Sequence, residues 1–232
     1  MTTPEYPRQP RDRDEQRHPG SRQVPREGFD MNQRLAQGIG ERLDSKRELA
    51  AAKAEMEKWK HTATHHEISG LPNALGFELG VNEMRKQNPY TPLGIIAMDL
   101  SGFKALNDTL GHAKGDETLK IFGSQLRATD LEAIIDTTSI PGHPHGDEYL
   151  LASLLEGRRD PDLTPEQRLG AIVGRARNIG RILREQDSDL LKVNFDLSVG
   201  AVVMGPDMPL EDALRAADEA MYTDKQSGNR GR

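Results

Sequence analysis

The longest apolar run in the chain, Leu93 to Met98, stops on a carboxylate, Asp99. The run reads as a buried strand, Gly94-Ile95-Ile96-Ala97-Met98-Asp99, that delivers a charge to the end of a sheet. It is far too short to span a bilayer, which takes about 20 apolar residues. Almost nothing in residues 1–30 can join the core that buries it. Residues 1–30 are Pro, Arg, Asp, Glu, Gln and Gly, the composition of a disordered tail. Residues 31–66 turn to Ala, Lys, Glu, Arg and Leu and read as a helical leader, with Leu49, Ala52, Met56, Trp59 and Ala63 spaced alternately three and four apart. That spacing draws one narrow stripe, either a coiled-coil seam or the face by which the helix packs on its own domain.

Residues 67–232 carry a mixed pattern. Leu71-Pro72-Asn73 is a turn, Leu75 to Gln87 a helix, and the strand ending on Asp99 follows. A second helix shows Leu119, Phe122 and Leu126 on one face and is opened by Gly115 and Asp116, the latter a good cap. Ala133 to Ile140 and Tyr149 to Leu155 read as strands joined across a Pro- and Gly-rich turn. A helix from Pro165 to Gln186, a strand from Val193 to Met204 and a helix from Leu210 to Lys225 complete the chain. The order β-α-β-β-α-β-α predicts an α+β fold of the ferredoxin-like sort, a βαββαβ core with helices on one face of a mainly antiparallel sheet.

Composition narrows the chemistry. With 31 Lys+Arg against 37 Asp+Glu, a net charge of −6, the chain is a poor candidate for broad binding of duplex nucleic acid, although a phosphorylated small molecule can still be held at one site. There is no cysteine, so disulfides, thiol nucleophiles and Cys-ligated zinc are excluded, and a metal has to be held by carboxylates, histidines or carbonyls. No apolar stretch marks the first 30 residues, and the chain reads as soluble and cytoplasmic, without a membrane segment.

Neither a G-x-x-x-x-G-K-[ST] loop nor a G-x-G-x-x-G turn after a strand is present. What stands out is Asp99 at one strand end and Asp147-Glu148 in a turn between two others. If these face each other, three carboxylates converge and require a cation or a shared proton. Hard oxygen ligands favour Mg²⁺ or Mn²⁺, which typically bridge nucleotide phosphates. The plainer reading leaves each acid as a solvated strand end. After Asp99, Gly102 lets the chain turn so that the N–H groups of Phe103 and Lys104 can point at a phosphate. Asn107 and Asp116 could read a guanine edge, or could simply be helix caps.

The string from Phe103-Lys104 through Asn107-Asp108 and Gly111-His112 to Gly115-Asp116 resembles the F-K-x-x-N-D-x-x-G-H-x-x-G-D signature of GGDEF domains, the diguanylate cyclase family. His145-Gly146-Asp147-Glu148-Tyr149 sits where that family has its Gly-Gly-Asp-Glu-Phe hairpin. Ser69-Gly70-Leu71-Pro72-Asn73 is similar to the entry motif T-G-L-P-N. Ala216-Ala217-Asp218-Glu219-Ala220-Met221-Tyr222, with Lys225 and Gly228, is similar to the closing motif. The resemblance covers Ile68 to Arg230.

It implies a palm-like core that binds GTP, two such domains meeting face to face, and a 3′-hydroxyl of each GTP attacking the partner's α-phosphate to give cyclic di-GMP. Asp99, the Leu100 carbonyl, Asp147 and Glu148 would hold Mg²⁺, and Glu148 would help activate the hydroxyl. Lys104 is implied among the catalytic residues. Phe103, Asn107, Asp116, Gly146 and Lys225 are implied for the nucleotide. The leader helix would set a homodimer, since one domain supplies half a site. The competing expectation is a degenerate domain that binds GTP without turnover and acts as a sensor or partner-binding module; a third is a palm enzyme making another oligonucleotide.

Departures from the family pattern motivate that alternative. The first hairpin glycine is His145; if the position must be left-handed, a histidine there costs about 1–2 kcal/mol. Its imidazole could fill ribose or phosphate space, or donate to a phosphate. Tyr149 replaces Phe, which is mild if the hydroxyl finds a partner. His143-Pro144-His145 invites a metal reading, but two ligands do not make a transition-metal site, and a Pro-containing turn explains the segment. Ser101 replaces an Asp and Ala74 an Arg, and Arg230 stands one position late after Gly228. The family's inhibitory R-x-x-D would fall on Asp136 and Ser139, and neither matches; Arg127-x-x-Asp130 is a chance match. Calorimetry is therefore expected to find no cyclic di-GMP site that depends on Arg127, and saturable binding abolished by Arg127→Ala would overturn this.

Overall fold

The computed structural model describes residues 26–128, 138–157 and 161–228. The chain divides into two compact units, Met1–Ala54 and Glu55–Arg232. The first holds most of α1, a single helix from Arg26 to Thr64. Met56 and Trp59, both in the second unit, are 59% and 67% exposed, and Leu49, in the first, is 56% exposed. Most of the tail expected over residues 1–30 lies outside the described residues.

The second unit is built on four strands, β1 Leu93–Ser101, β2 Ser139–His145, β3 Glu148–Leu154 and β4 Asp196–Met204. They pair in the order β2-β3-β1-β4, every neighbour antiparallel. β1 is central and buried along its length up to Leu100. Side chains alternate across a strand, and both of its faces are covered. Ile96, Met98 and Leu100 pack with α4 (His112–Ala128) and α5 (Pro165–Gln186), whereas Leu93, Ile95 and Ala97 pack with α2 (Ala74–Gln87) and α7 (Leu210–Gly228). The expectation of helices on one face is thus corrected: the uninterrupted apolar run of β1 needs a layer on each side.

Three boundaries also differ from the sequence expectations. The string Pro141-Gly142-His143-Pro144 is part of β2 rather than a turn; an edge strand tolerates proline, and Pro144 falls where the register shifts between Gly142 and His145. Residues 133–137, expected to begin this strand, lie outside the described residues. A short helix, α3 Phe103–Leu110, precedes α4, and α4 starts at His112 instead of Gly115. β4 starts at Asp196, because residues 193–195 leave the five-residue helix α6 (Ser188–Lys192) through Asn194 at φ 52° and pass against Gly102.

Gly200 sets the height of α7 over the sheet. A Cβ there would overlap backbone atoms of Met221 and Ala217, and backbone cannot rotate away. Gly200→Ala is expected to cost about 3 kcal/mol of unfolding free energy in urea titrations, the upper end for overpacking.

Candidate functional site

The period of two along β1 puts Asp99 on the same face as Leu93, Ile95 and Ala97, beneath α7. Glu148 lies directly across from it on β3, and Ser198 directly across on β4. Asp99 is only 7% exposed, and the Lys225 ammonium on α7 donates to its Oδ1 at 2.7 Å. Ser101 Oγ is 3.4 Å from the same oxygen and 3.1 Å from Ser198 Oγ. Asp224, next to Lys225, fixes the end of α7: its Oδ2 accepts from the Val199 N–H at 2.9 Å and its Oδ1 from Arg177 at 2.8 Å. Sequence reasoning missed Asp224, which in the string Thr223-Asp224-Lys225 carries no sign of its strand partner.

In the β2–β3 turn Gly146 takes the left-handed conformation, φ 59°, and the Asp147 carbonyl accepts from the Leu100 N–H at 3.1 Å. His145 is extended, at the end of β2, so the backbone cost considered for it does not arise: Gly146 absorbs the turn. The exposed His145 ring instead lies with Nδ1 3.1 Å from Glu148 Oε2. Asp147 is held above the usual carboxylate range, first by burial and then by the Asp99 charge. Glu148 is raised as well, by burial against the opposing pull of His145, with Asp147, Asp218 and Asp99 adding repulsion. These are carboxylates that a bound cation would relieve.

After β1, Gly102 adopts φ 86°; a Cβ would also stand 2.8 Å from the Val193 carbonyl. It caps α3 without a side-chain acceptor, which leaves the first-turn amides of Phe103 and Lys104 turned outward from the helix end. Lys104 is exposed and Phe103 half-buried. Asn107 Oδ1 is buried and has no hydrogen-bond partner. Gly115 preserves its space, since a Cβ there would overlap that oxygen, and the half-buried Asp116 follows. The structure therefore gathers Asp99, Leu100, Asp147, Glu148 and Lys225 at one end of β1, with Phe103, Lys104 and Asn107 on the short helix that leaves it. As they stand, no three His, Asp or Glu side chains among the described residues are grouped to hold an ion. The donor set nonetheless suits a hard cation: oxygen ligands, raised carboxylates, and an ammonium already drawn to one of them.

Both ring nitrogens of His143 are engaged, Nδ1 with Ser69 Oγ at 2.8 Å and Nε2 with the Gly146 carbonyl at 2.9 Å. His143 is fully buried, and its ring stacks on His66 at 3.7 Å and on Tyr149 at 4.1 Å. The ring is thus engaged in packing and hydrogen bonding, within a segment that is strand rather than the Pro-containing turn expected for it. The Tyr149 hydroxyl finds its partner in the Leu119 carbonyl, 2.9 Å away, and burial pushes its pKa up. Arg127 donates to the Gly70 carbonyl at 2.6 Å. Asn73 caps α2 through Gly76 N and holds the end of α1 through Ala63 O.

Sheet order, the carboxylate-bearing turn and the glycine-capped helix after β1 define a palm-type α+β domain. A family model described as "Diguanylate cyclase, GGDEF domain" matches residues 63–231, and the chain belongs to this family. Diguanylate cyclase DosC of Escherichia coli K12 is 28% identical over 142 residues, covering 60% of this chain and 27% of DosC. Cyclic di-GMP phosphodiesterase PdeR of the same organism is 24% identical over 183 residues, covering 78% and 25%. The chain spans about a quarter of the length of these relatives. The coiled coil and GGDEF domain of DgcB from Caulobacter crescentus, solved with c-di-GMP, shares the fold at a TM-score of 0.62 and 19% identity, covering 85% of this chain and 95% of that one. No helix among the described residues is long and apolar enough to cross a membrane.

His143 predicts a pH dependence of stability. Burial lowers its pKa from 6.5 to about 4, so between these values the unfolded chain takes up a proton that the folded chain refuses. Its stabilising contribution is full above pH 6.5 and declines as pH falls toward 4, by about 3 kcal/mol in all. Chemical denaturation at pH 7, 5.5 and 4 is expected to show this slope in the wild type and a shallower one in His143→Gln.

Proposed function

We propose that the domain is a diguanylate cyclase that condenses two GTP into cyclic di-GMP across a homodimer, in the cytoplasm and with Mg²⁺ or Mn²⁺. The observation that carries the reading is the pairing of Asp99 with Glu148 across β1 and β3, beside Asp147 and under Lys225. On this reading Asp99, the Leu100 carbonyl, Asp147 and Glu148 hold the cation. The bound ion supplies charge neutralisation at the phosphates and favours the 3′-alkoxide.

The chain's own groups do the rest. Lys225, released from Asp99, turns to the phosphates together with the Phe103 and Lys104 amides at the bare N-terminus of α3. Lys104 adds its ammonium from the same turn, and Gly146 keeps the hairpin side of the nucleotide free of a side chain. Asn107 Oδ1, unpartnered and buried, accepts from the guanine amino group, and the Asp116 carboxylate accepts from N1–H and N2–H₂. The exposed Leu49, Met56 and Trp59 stripe of α1 supplies the seam that brings two half-sites together.

The His145–Glu148 contact favours a second reading, in which the domain binds GTP without turnover, because the imidazole occupies the carboxylate that would otherwise serve the metal or the hydroxyl. Purified protein incubated with Mg²⁺ and GTP, with products resolved by mass, separates the two. Cyclic di-GMP is expected, reduced at least about 100-fold in Asp147→Ala. GTP bound but unconverted by the wild type, with turnover appearing in His145→Gly, would give the second reading instead.

A further inference from the structure

We propose that His143 is the positioning residue of the Gly146–Asp147 turn, tying it to the segment that closes α1. Three hydrogen bonds run in one direction. The Leu71 N–H donates to Ser69 Oγ at 3.3 Å, the Ser69 hydroxyl meets His143 Nδ1 at 2.8 Å, and His143 Nε2 meets the Gly146 carbonyl at 2.9 Å. The direction follows from the last link. A carbonyl only accepts, so Nε2 carries the proton; Nδ1 of the neutral ring then accepts, and the Ser69 hydroxyl must donate to it. The Ser69 oxygen remains open to the Leu71 N–H, and every group in the relay is satisfied.

Both ends of the relay are anchored. Asn73 donates through its backbone to the Thr64 carbonyl at 2.9 Å and through its side chain to the Ala63 carbonyl at 2.9 Å, joining the segment to the last turn of α1. The His143 N–H donates to the Pro72 carbonyl at 2.7 Å. Beyond Gly146, the Asp147 carbonyl takes the Leu100 N–H of β1. The two ring stacks, with His66 and Tyr149, hold the imidazole in plane for the relay. Burial keeps this ring neutral, the state in which the relay has its polarity. A shift of the closing segment thus reaches the turn that carries Asp147 and Glu148 through side chains rather than along the strand.

The role bears on catalysis only on the reading proposed above, but its test needs no nucleotide. In the full chain with ¹⁵N-labelled histidine at pH 7, His143 is expected as the neutral Nε2–H tautomer. A protonated ring or the Nδ1–H tautomer would overturn the proposal. Amide exchange at Leu100 reads the far end: Ser69→Ala is expected to speed it about 10-fold while Ile96, in the middle of β1, is unchanged. Ser69→Thr should restore the wild-type rate, and His143→Gln, which keeps a donor and an acceptor, should stay folded with Leu100 protected. Unchanged Leu100 exchange in Ser69→Ala would overturn the link. If the wild type makes no cyclic dinucleotide, the cyclase reading fails, and these shifts and rates still decide the role of His143.

Discussion

Everything in the folded unit answers to the burial of β1. A strand covered on both faces needs two helical layers, and the alternation that serves them leaves Asp99 facing α7 at the point where the cover ends. A carboxylate so little exposed is tolerable only with a partner. The partner is brought by α7, whose approach depends on the missing side chain of Gly200 and whose last turn is pinned to β4 by Asp224. The acid at the strand end and the helix above it are one construction.

The site has two parts that are held in different ways. The acids sit on the central strands, where antiparallel pairing fixes Asp99 against Glu148. Asn107 and the α3 amides sit on a short helix bounded by two glycines of positive φ, Gly102 and Gly111. A buried oxygen without a partner within the chain, such as Asn107 Oδ1, is costly, and the arrangement makes sense when a donor arrives from outside the chain.

Much of this was legible in the sequence. The strand ending on Asp99, the acidic pair in the hairpin and the Asn107 to Asp116 string could be read because strand, turn and helix signals are local. What escaped depends on pairing between distant segments. Nothing in Pro141-Gly142-His143-Pro144 says that it lies at a sheet edge with its N–H aimed at Pro72, and so it looked like a turn. The unbroken apolar run of β1 is the local sign of its two-sided cover, which the order of elements by itself does not give. The resemblance leaves open which residue of the hairpin is left-handed; in this chain it is Gly146, and His145 is extended. Asp224 and His143 act through partners 25 and 74 residues away, and no local pattern encodes such distances.

The Lys225–Asp99 contact has a thermodynamic side. Asp99 carries its own counter-ion within the chain, so a cation arriving alone must first displace the Lys225 ammonium from it. If a nucleotide arrives with the cation, its phosphates receive the released lysine, and the cost of displacement is returned. On the proposed reading the two ligands therefore bind with positive coupling, each raising the affinity for the other by the same factor. One lysine side chain would make the domain respond to the metal–nucleotide complex far more than to either component by itself.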